Sequence, residues 1–300
     1  MNQLLVALRF YATGSFQLVV GDTFNISKST VCKTVHRVTA AIASLREKYV
    51  KFPETVDEQR HTMQAFYSRS KMPGIIGAID CTHIAIQSPG SDNAEIYRNR
   101  KGFFSINVQL VCEPTGYITD VVARWPGSVH DSTIFDHSQL RAMLETQQTH
   151  GCLVGDGGYA CRHYMLTPVN NPNTAAEQAY NSSQILARNC IERTIGILKR
   201  RFPALKYGLR LKLSNTLSVI VATVVVHNIA VTLGEDEPAD DDDELQQYVA
   251  EKRLQLLADK SRGNQSANAD IDPPAVAAAN HPAATGMRRA LIDNYFAANM

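Results

Sequence analysis

The sequence of 300 residues has few cysteines, and none of them stands in a metal-binding pair. The six cysteines are scattered along the chain, with no Cys-x-x-Cys motif. This argues against a zinc site and against a fold held together by disulfides. With 44% hydrophobic and 20% charged residues, the chain can bury a large core without such links. We therefore expect reduced, buried thiols in an intracellular protein of one large or two modest domains.

Long hydrophobic runs are also scarce. The apolar N-terminal residues are interrupted by Arg9, and no small-residue cleavage site follows them, which argues against a signal peptide. Residues 217–233 are the best candidate for a membrane span, but they are short for one and contain His227 and Asn228. We expect this run to form a buried core helix.

Neither sign of charge dominates, since the formal net charge is +1. This total conceals an uneven distribution, because residues 180–213 contain eight bases and one acid, whereas residues 234–244 contain eight acids and no base. The first segment is typical of a polyanion-binding surface, with an ordinary solvated helix face as the alternative. We expect residues 234–300 to form an acidic and then low-complexity tail, largely without packed structure.

The N-terminal residues are predicted to be helical. Ser27 is a natural N-cap for a helix whose apolar residues recur at helical spacing. A shorter helix precedes it across a turn at residues 25–27, so residues 1–50 have the pattern of an all-α helix-turn-helix region. A helical hairpin that binds nothing is the alternative. The exposed bases of this region that we predict to contact DNA are Lys28, Lys33 and Arg37.

From residue 73 the hydrophobic period changes, after a polar helical linker over residues 51–72. The predicted elements are a buried strand over 74–86, a half-buried strand over 104–110, its hairpin partner over 117–125, a helix over 128–144, a short strand over 152–154 and an amphipathic helix over 184–202. This order predicts an α/β domain over residues 73–233, with a sheet buried against helices.

Three acidic residues occupy notable positions in this pattern. Asp80 lies within the first strand, Asp156 follows the short strand and precedes two glycines, and Glu192 lies on the amphipathic helix. Each alone could be a hydrogen-bonded cap. Together they form a set of oxygen ligands of the kind that Mg²⁺ or Mn²⁺ prefers, and two such ions can promote phosphodiester displacement.

Five segments, in this order, resemble PIF/Harbinger transposases and the harbinger transposase-derived nucleases of animals. The segments are GAIDCTH, KGFFSINVQLVC, PGSVHDSTIF, GDGGY and IERTIGILKRRF. The resemblance runs from about residue 10 to residue 235. It implies an RNase H-like DDE catalytic domain, a mixed sheet flanked by helices, that cleaves DNA with a divalent metal cation.

The resemblance also implies roles for single residues. Asp80, Asp156 and Glu192 match the three catalytic acids, and 35 residues separate the last two, as is usual in this family. Asp131 matches a further acid that the family retains, either as a fourth metal ligand or as the N-cap of the following helix. His83 would point to the opposite face of the strand from Asp80, so we assign it to the core or to the surroundings of the site.

The implied mechanism is metal-assisted hydrolysis of a DNA phosphodiester. Asp80 would bridge two Mg²⁺ ions, while Asp156 and Glu192 would each hold one. The basic segment would hold DNA phosphates through Arg193, Lys199, Arg200 and Arg201. The alternative is a catalytically silent DNA-binding or regulatory protein derived from a transposase.

The resemblance carries expectations about partners and location as well. We expect DNA as the substrate, a nuclear location with the cytoplasm as a second compartment, and a separate Myb-like or trihelix protein that reads the DNA sequence. Homo-oligomerisation stays open. Family members usually carry a longer N-terminal region, so we expect a shortened chain or an incomplete N-terminus.

Overall fold

Helices occupy most of the N-terminal region. The computed structural model describes residues 3–90, 94–146, 150–238 and 282–298. The first helices are α1 (Gln3–Thr13), α2 (Gln17–Phe24), α3 (Lys28–Ala43) and α4 (Arg46–Tyr49). Ser27 caps α3 as predicted, because its side chain accepts a hydrogen bond from the backbone N–H of Thr30 at 3.2 Å. These helices lie where the periodicity places them, but a DNA-binding helix-turn-helix stays a prediction.

The segment predicted as a helical linker forms α5 (Val56–Ser70). Thr55 and Glu58 form a reciprocal capping box at its start, which satisfies two backbone N–H groups. Phe66 is 1% exposed, and the helix packs on the first strand of the sheet and on the long helix α8 (Ala175–Arg201). The segment predicted as a linker therefore contributes to the core beside the sheet.

Five strands form one mixed sheet. They are β1 (Ile75–Ala85), β2 (Ser105–Cys112), β3 (Ile118–Pro126), β4 (Cys152–Val154) and β5 (Met165–Leu166). Their order is β3-β2-β1-β4-β5, with antiparallel pairs on the β3 side and parallel pairs on the β5 side. Helices flank this sheet, which confirms the mixed α/β fold and places the strand that carries Asp80 at its centre.

β2 is buried along its whole length, so the prediction of a half-buried strand is wrong. Its polar residues Ser105, Asn107 and Gln109 are at most 1% exposed. Asn99 donates a hydrogen bond to Ser105 at 3.0 Å, and Asn107 donates one to the carbonyl oxygen of Val129 at 2.9 Å. The alternation of apolar and polar residues shows which face of the strand is polar. It does not show that this face is exposed, because residues distant in sequence can satisfy the hydrogen bonds of buried polar side chains.

The segment predicted as one helix over 128–144 forms two, α6 (Asp131–Asp136) and α7 (Gln139–Glu145). The break occurs because the Ser138 side chain accepts a hydrogen bond from the N–H of Arg141 at 3.1 Å and so starts a new helix. On the predicted amphipathic helix, α8, Ile191 is buried and Ile185 is 49% exposed. A short helix α9 (Pro203–Tyr207) follows α8.

The apolar run near residue 220 forms α10 (Leu213–Thr232). This helix is long and apolar enough to cross a membrane, yet half of its most apolar window is buried within the protein. Asn228 is fully buried, where it accepts a hydrogen bond from the N–H of Ile118 and donates one to the same residue's carbonyl oxygen. The prediction of a core helix is confirmed. The six cysteines are free, and only Cys32 among them is exposed.

The end of the chain corrects the prediction of an unpacked tail. Most of that tail lies outside the described residues, but α11 (Pro282–Leu291) and a π-helical turn (Ile292–Phe296) are well defined. Ile292 and Phe296, one turn apart, are buried, and the Phe296 ring lies edge-on to Tyr180 of α8 at 5.7 Å between centroids. This pair gives the last residues an apolar face that their polar average composition conceals.

Candidate active site

The register of the sheet brings Asp156 beside Asp80. β1 and β4 run parallel, and their pairing ends at Ala78 with Val154. Continuing this register by two residues on each strand places the two acids side by side. β1 extends to Ala85, beyond the end of β4, so Asp80 lies where β4 has ceased to pair with β1.

Asp80 is a partly buried acid whose pKa is shifted by its surroundings. Its side chain is 20% exposed, and its Oδ1 accepts a hydrogen bond from the N–H of Cys81 at 2.7 Å. Burial raises the pKa of Asp80 to about 6, and the charges of Asp156 and Asp131 add to the rise, while the Cys81 N–H and Arg188 oppose it. A buried carboxyl among other carboxyls is a common feature of functional sites.

Asp156 is oriented by the glycine-rich turn that follows it. The backbone N–H of Gly158 donates a hydrogen bond to its Oδ1 at 2.9 Å. A Cβ atom on residue 158 would lie 3.0 Å from the same oxygen, so glycine permits this close approach. The preceding Gly155 carbonyl accepts a hydrogen bond from Gln184 of α8 at 2.8 Å, which joins the turn to the helix that carries Glu192.

Asp131 does not cap α6. The helix begins at Asp131, and the cap is His130, whose Nδ1 accepts a hydrogen bond from the N–H of Ser132 at 3.3 Å. The Asp131 Oδ1 accepts a hydrogen bond from Asn107 Nδ2 at 2.7 Å. The N-cap alternative is therefore wrong, and its role as a metal ligand stays a prediction.

Glu192 reaches the site from α8 and is bonded to an arginine. Arg188, one turn earlier on the same helix, lies 2.7 Å from Glu192 Oε1 through its Nη2. The other terminal nitrogen of Arg188 lies 3.9 Å from Asp80 Oδ2. One guanidinium thus lies between the strand acid and the helix acid.

The donor chemistry of this set fits a divalent cation, although the four carboxylates are not drawn together. Asp80, Asp131, Asp156 and Glu192 offer the hard oxygen ligands that Mg²⁺ and Mn²⁺ require. Among the described residues, no group of three His, Cys, Asp or Glu side chains is close enough to hold an ion as it stands. The side chains must therefore move inward, away from Arg188 in the case of Glu192, before an ion is held.

The residues predicted to bind DNA differ in their surroundings. Lys28, Lys33, Arg37 and Arg193 are exposed, and Arg200 and Arg201 are half-buried. Lys199 is directed inward, where its Nζ donates hydrogen bonds to Thr82 Oγ1 at 2.6 Å and to the His83 carbonyl oxygen at 3.2 Å. Burial, with a smaller effect of Lys101, lowers the pKa of Lys199 to about 8.

His83 lies on the sheet face opposite Asp80, as predicted. It pairs in register with Asn107, and its Nδ1 lies 3.1 Å from Ser105 Oγ. Burial lowers the pKa of His83. The contact of Asn107 with Asp131 and the position of Arg188 between two acids were not predicted. The sequence signal for the position of Arg188 is its spacing of four residues from Glu192, which places the two side chains on the same helix face.

The five-stranded mixed sheet flanked by helices, with Asp80 on its central strand, defines an α/β domain. Residues 79–228, which contain all four acids, match the family described as DDE superfamily endonuclease. The chain belongs to this family.

Curated relatives agree with the family match. The mouse protein named "Putative nuclease HARBI1" is 36% identical over 239 residues, which cover 78% of this chain and 68% of the mouse protein. The human protein of the same name is 34% identical over the same shares. "Protein ALP1-like" of Arabidopsis thaliana is 26% identical over 82% of this chain and 64% of its own length. No solved structure is a significant match.

Proposed function

We propose that this protein is a divalent-metal-dependent DNA endonuclease or transposase of the DDE type, with an RNase H-like catalytic fold. One observation carries the proposal. The partly buried Asp80 on the central strand interacts electrostatically with Asp156 and Asp131, and through Arg188 it is linked to Glu192. An ordinary structural carboxylate is buried with its partners satisfied, not among further acids.

The residues that would hold the metal are Asp80, Asp156 and Glu192, with Asp131 as a fourth ligand. When bound, two Mg²⁺ or Mn²⁺ ions supply an activated water and stabilise the leaving 3′ oxygen. The backbone N–H groups of Cys81 and Gly158 each fix one oxygen of an aspartate. These bonds hold one oxygen of each aspartate and leave the other oxygen for a cation, once the acids have moved closer together.

DNA would reach this site along a basic surface. The exposed Lys28, Lys33 and Arg37 on α3 and Arg193 on α8 support contacts to phosphates, together with Arg200 and Arg201. We propose a nuclear location and a separate Myb-like or trihelix partner protein. Imaging the full chain, and co-purification from nuclei with DNA digested, would test these two points.

The experiment that tests the activity is nicking of supercoiled plasmid by purified protein with Mg²⁺ or Mn²⁺. Asp80→Asn and Glu192→Gln should each reduce nicking by several orders of magnitude. The matched control is Asp57→Asn, because the Asp57 side chain is 95% exposed on α5 and pairs only loosely with Arg60. Nicking that persists in Asp80→Asn would refute the assignment.

The alternative of a catalytically silent DNA-binding protein is favoured by the Arg188 contacts, since a guanidinium occupies carboxylate oxygens that a metal would need. Measuring DNA binding and metal-dependent nicking on the same protein distinguishes the endonuclease from the silent DNA-binding protein. DNA binding without metal-dependent nicking in the unmodified protein would establish the silent form.

A further inference from the structure

Arg188 is a cation built into the carboxylate group. Its side chain is 22% exposed, and it touches one acid on the helix and one on the central strand. Its charge is permanent, since arginine does not lose its proton in proteins. The interaction therefore cannot be released by a change of pH at the guanidinium.

We propose that Arg188 is a resident counter-ion that competes with the divalent cation, so that metal binds only when the guanidinium leaves Glu192. This inference rests on the proposed function, because it concerns the affinity of the same site for its metal. Arg188 is then a positioning residue, and the acids are the residues that ligate the metal.

The competition follows from geometry and charge. The Glu192 Oε1 that accepts the Arg188 hydrogen bond at 2.7 Å cannot ligate an ion without placing two cations within a few ångströms. The helix itself is held, because Gln184 bonds the Gly155 carbonyl. A rotation of the Arg188 side chain is therefore the movement with the lowest cost.

Before metal binds, Arg188 has a second effect. Its positive charge offsets the repulsion between the carboxylates, which would otherwise destabilise the folded protein. Removing this arginine should therefore have two opposite effects, a less stable metal-free protein and a tighter metal complex. An arginine that only stabilises the fold would give the first effect with weaker or unchanged metal binding.

The test compares Mn²⁺ affinity, measured by isothermal titration calorimetry of the full chain, in the unmodified protein, Arg188→Gln and Arg141→Gln. Arg141 is the matched control, because it pairs with Glu145 four residues later at 2.9 Å and is 27% exposed. Arg188→Gln should bind Mn²⁺ about fivefold tighter or more, the lower end of ordinary coupling between sites. Arg141→Gln should bind like the unmodified protein.

Thermal melts without metal complete the experiment, with Arg188→Gln expected to melt at a lower temperature. If Arg188→Gln does not fold, Arg188→Lys keeps the charge but loses the two-armed contact, and it should give a smaller tightening. Unchanged or weaker Mn²⁺ binding in the folded variant overturns the inference and leaves the proposed function standing. No Mn²⁺ binding by either the unmodified protein or the folded variant overturns both.

Discussion

Lys199 on α8 donates a hydrogen bond to Thr82 on β1, at 2.6 Å between Nζ and Oγ1. Thr82 is two residues beyond Asp80 and points to the same face of the strand, while Lys199 is two turns beyond Glu192. The bond therefore fixes the helix that carries Glu192 against the strand that carries Asp80.

Lys199→Met should remove a pH dependence of stability. Because burial lowers the pKa of Lys199 to about 8 in the folded protein, the folded state loses this proton before the unfolded state does. The free energy of unfolding should therefore rise between about pH 8 and pH 10.5, by about 2 to 3 kcal/mol. Denaturant unfolding of the unmodified protein and the variant at pH 7 and pH 10 measures this change in the free energy of unfolding. An equal change in both proteins would contradict the prediction.

Asp80→Asn should stabilise the metal-free protein at neutral pH. The pKa of Asp80 is raised to about 6, so its stabilising contribution is complete below its unfolded pKa and is lost as pH rises through 6. At pH 7.5 the variant should be more stable than the unmodified protein, by up to about 3 kcal/mol. At pH 4 the two should converge. Thermal melts at both pH values test this.

The same variant should also lose the rise in melting temperature that Mg²⁺ produces, because only binding to the folded state stabilises it. An aspartate with a purely structural role predicts the opposite pattern. In that case Asp80→Asn would lower stability by about 1–3 kcal/mol through lost hydrogen bonds, and Mg²⁺ would shift neither protein.

The salt dependence of DNA binding should reveal which bases contact phosphates. Affinity should fall log-linearly with salt, and each lost phosphate contact should flatten the slope by about 0.9 on duplex DNA. Replacing Arg193, Arg200 and Arg201 by alanine should therefore reduce the slope. Lys199→Ala should change it least, because this side chain is already bonded to Thr82 and His83. Fluorescence anisotropy at several salt concentrations provides the slopes, and equal slopes for all variants would exclude this surface.

The helix-turn-helix prediction can be tested apart from catalysis. Lys28→Ala combined with Lys33→Ala should weaken DNA binding, because both side chains are exposed on α3, but should not change the nicking rate at saturating DNA. Lys51→Ala removes an exposed lysine outside this region and serves as the control. If the double variant binds DNA as before, α2 and α3 form a packing element.

The elements that the sequence predicts well are those with a strong local signal. The dense apolar run around Asp80 gives β1, and the Ser27 cap gives the start of α3. The break at Ser138 depends on one side-chain hydrogen bond, and the two-residue strand β5 depends on its pairing with β4. Periodicity registers neither. The three acids could be chosen from the family resemblance, but the place of Arg188 between Asp80 and Glu192 depends on how α8 crosses β1.

The packing of the last residues also bears on the order in which the chain is made. Tyr180 is synthesised more than one hundred residues before Phe296, the ring that covers it. Arg288 and Arg289 in turn bond the Thr167 carbonyl and Glu177, on either side of the connection into α8. A nascent chain on the ribosome, which folds from its N-terminus onward, therefore holds this part of α8 uncovered until α11 and the π-helical turn have been synthesised. The helix that carries Glu192 gains this cover only after those residues have left the ribosome.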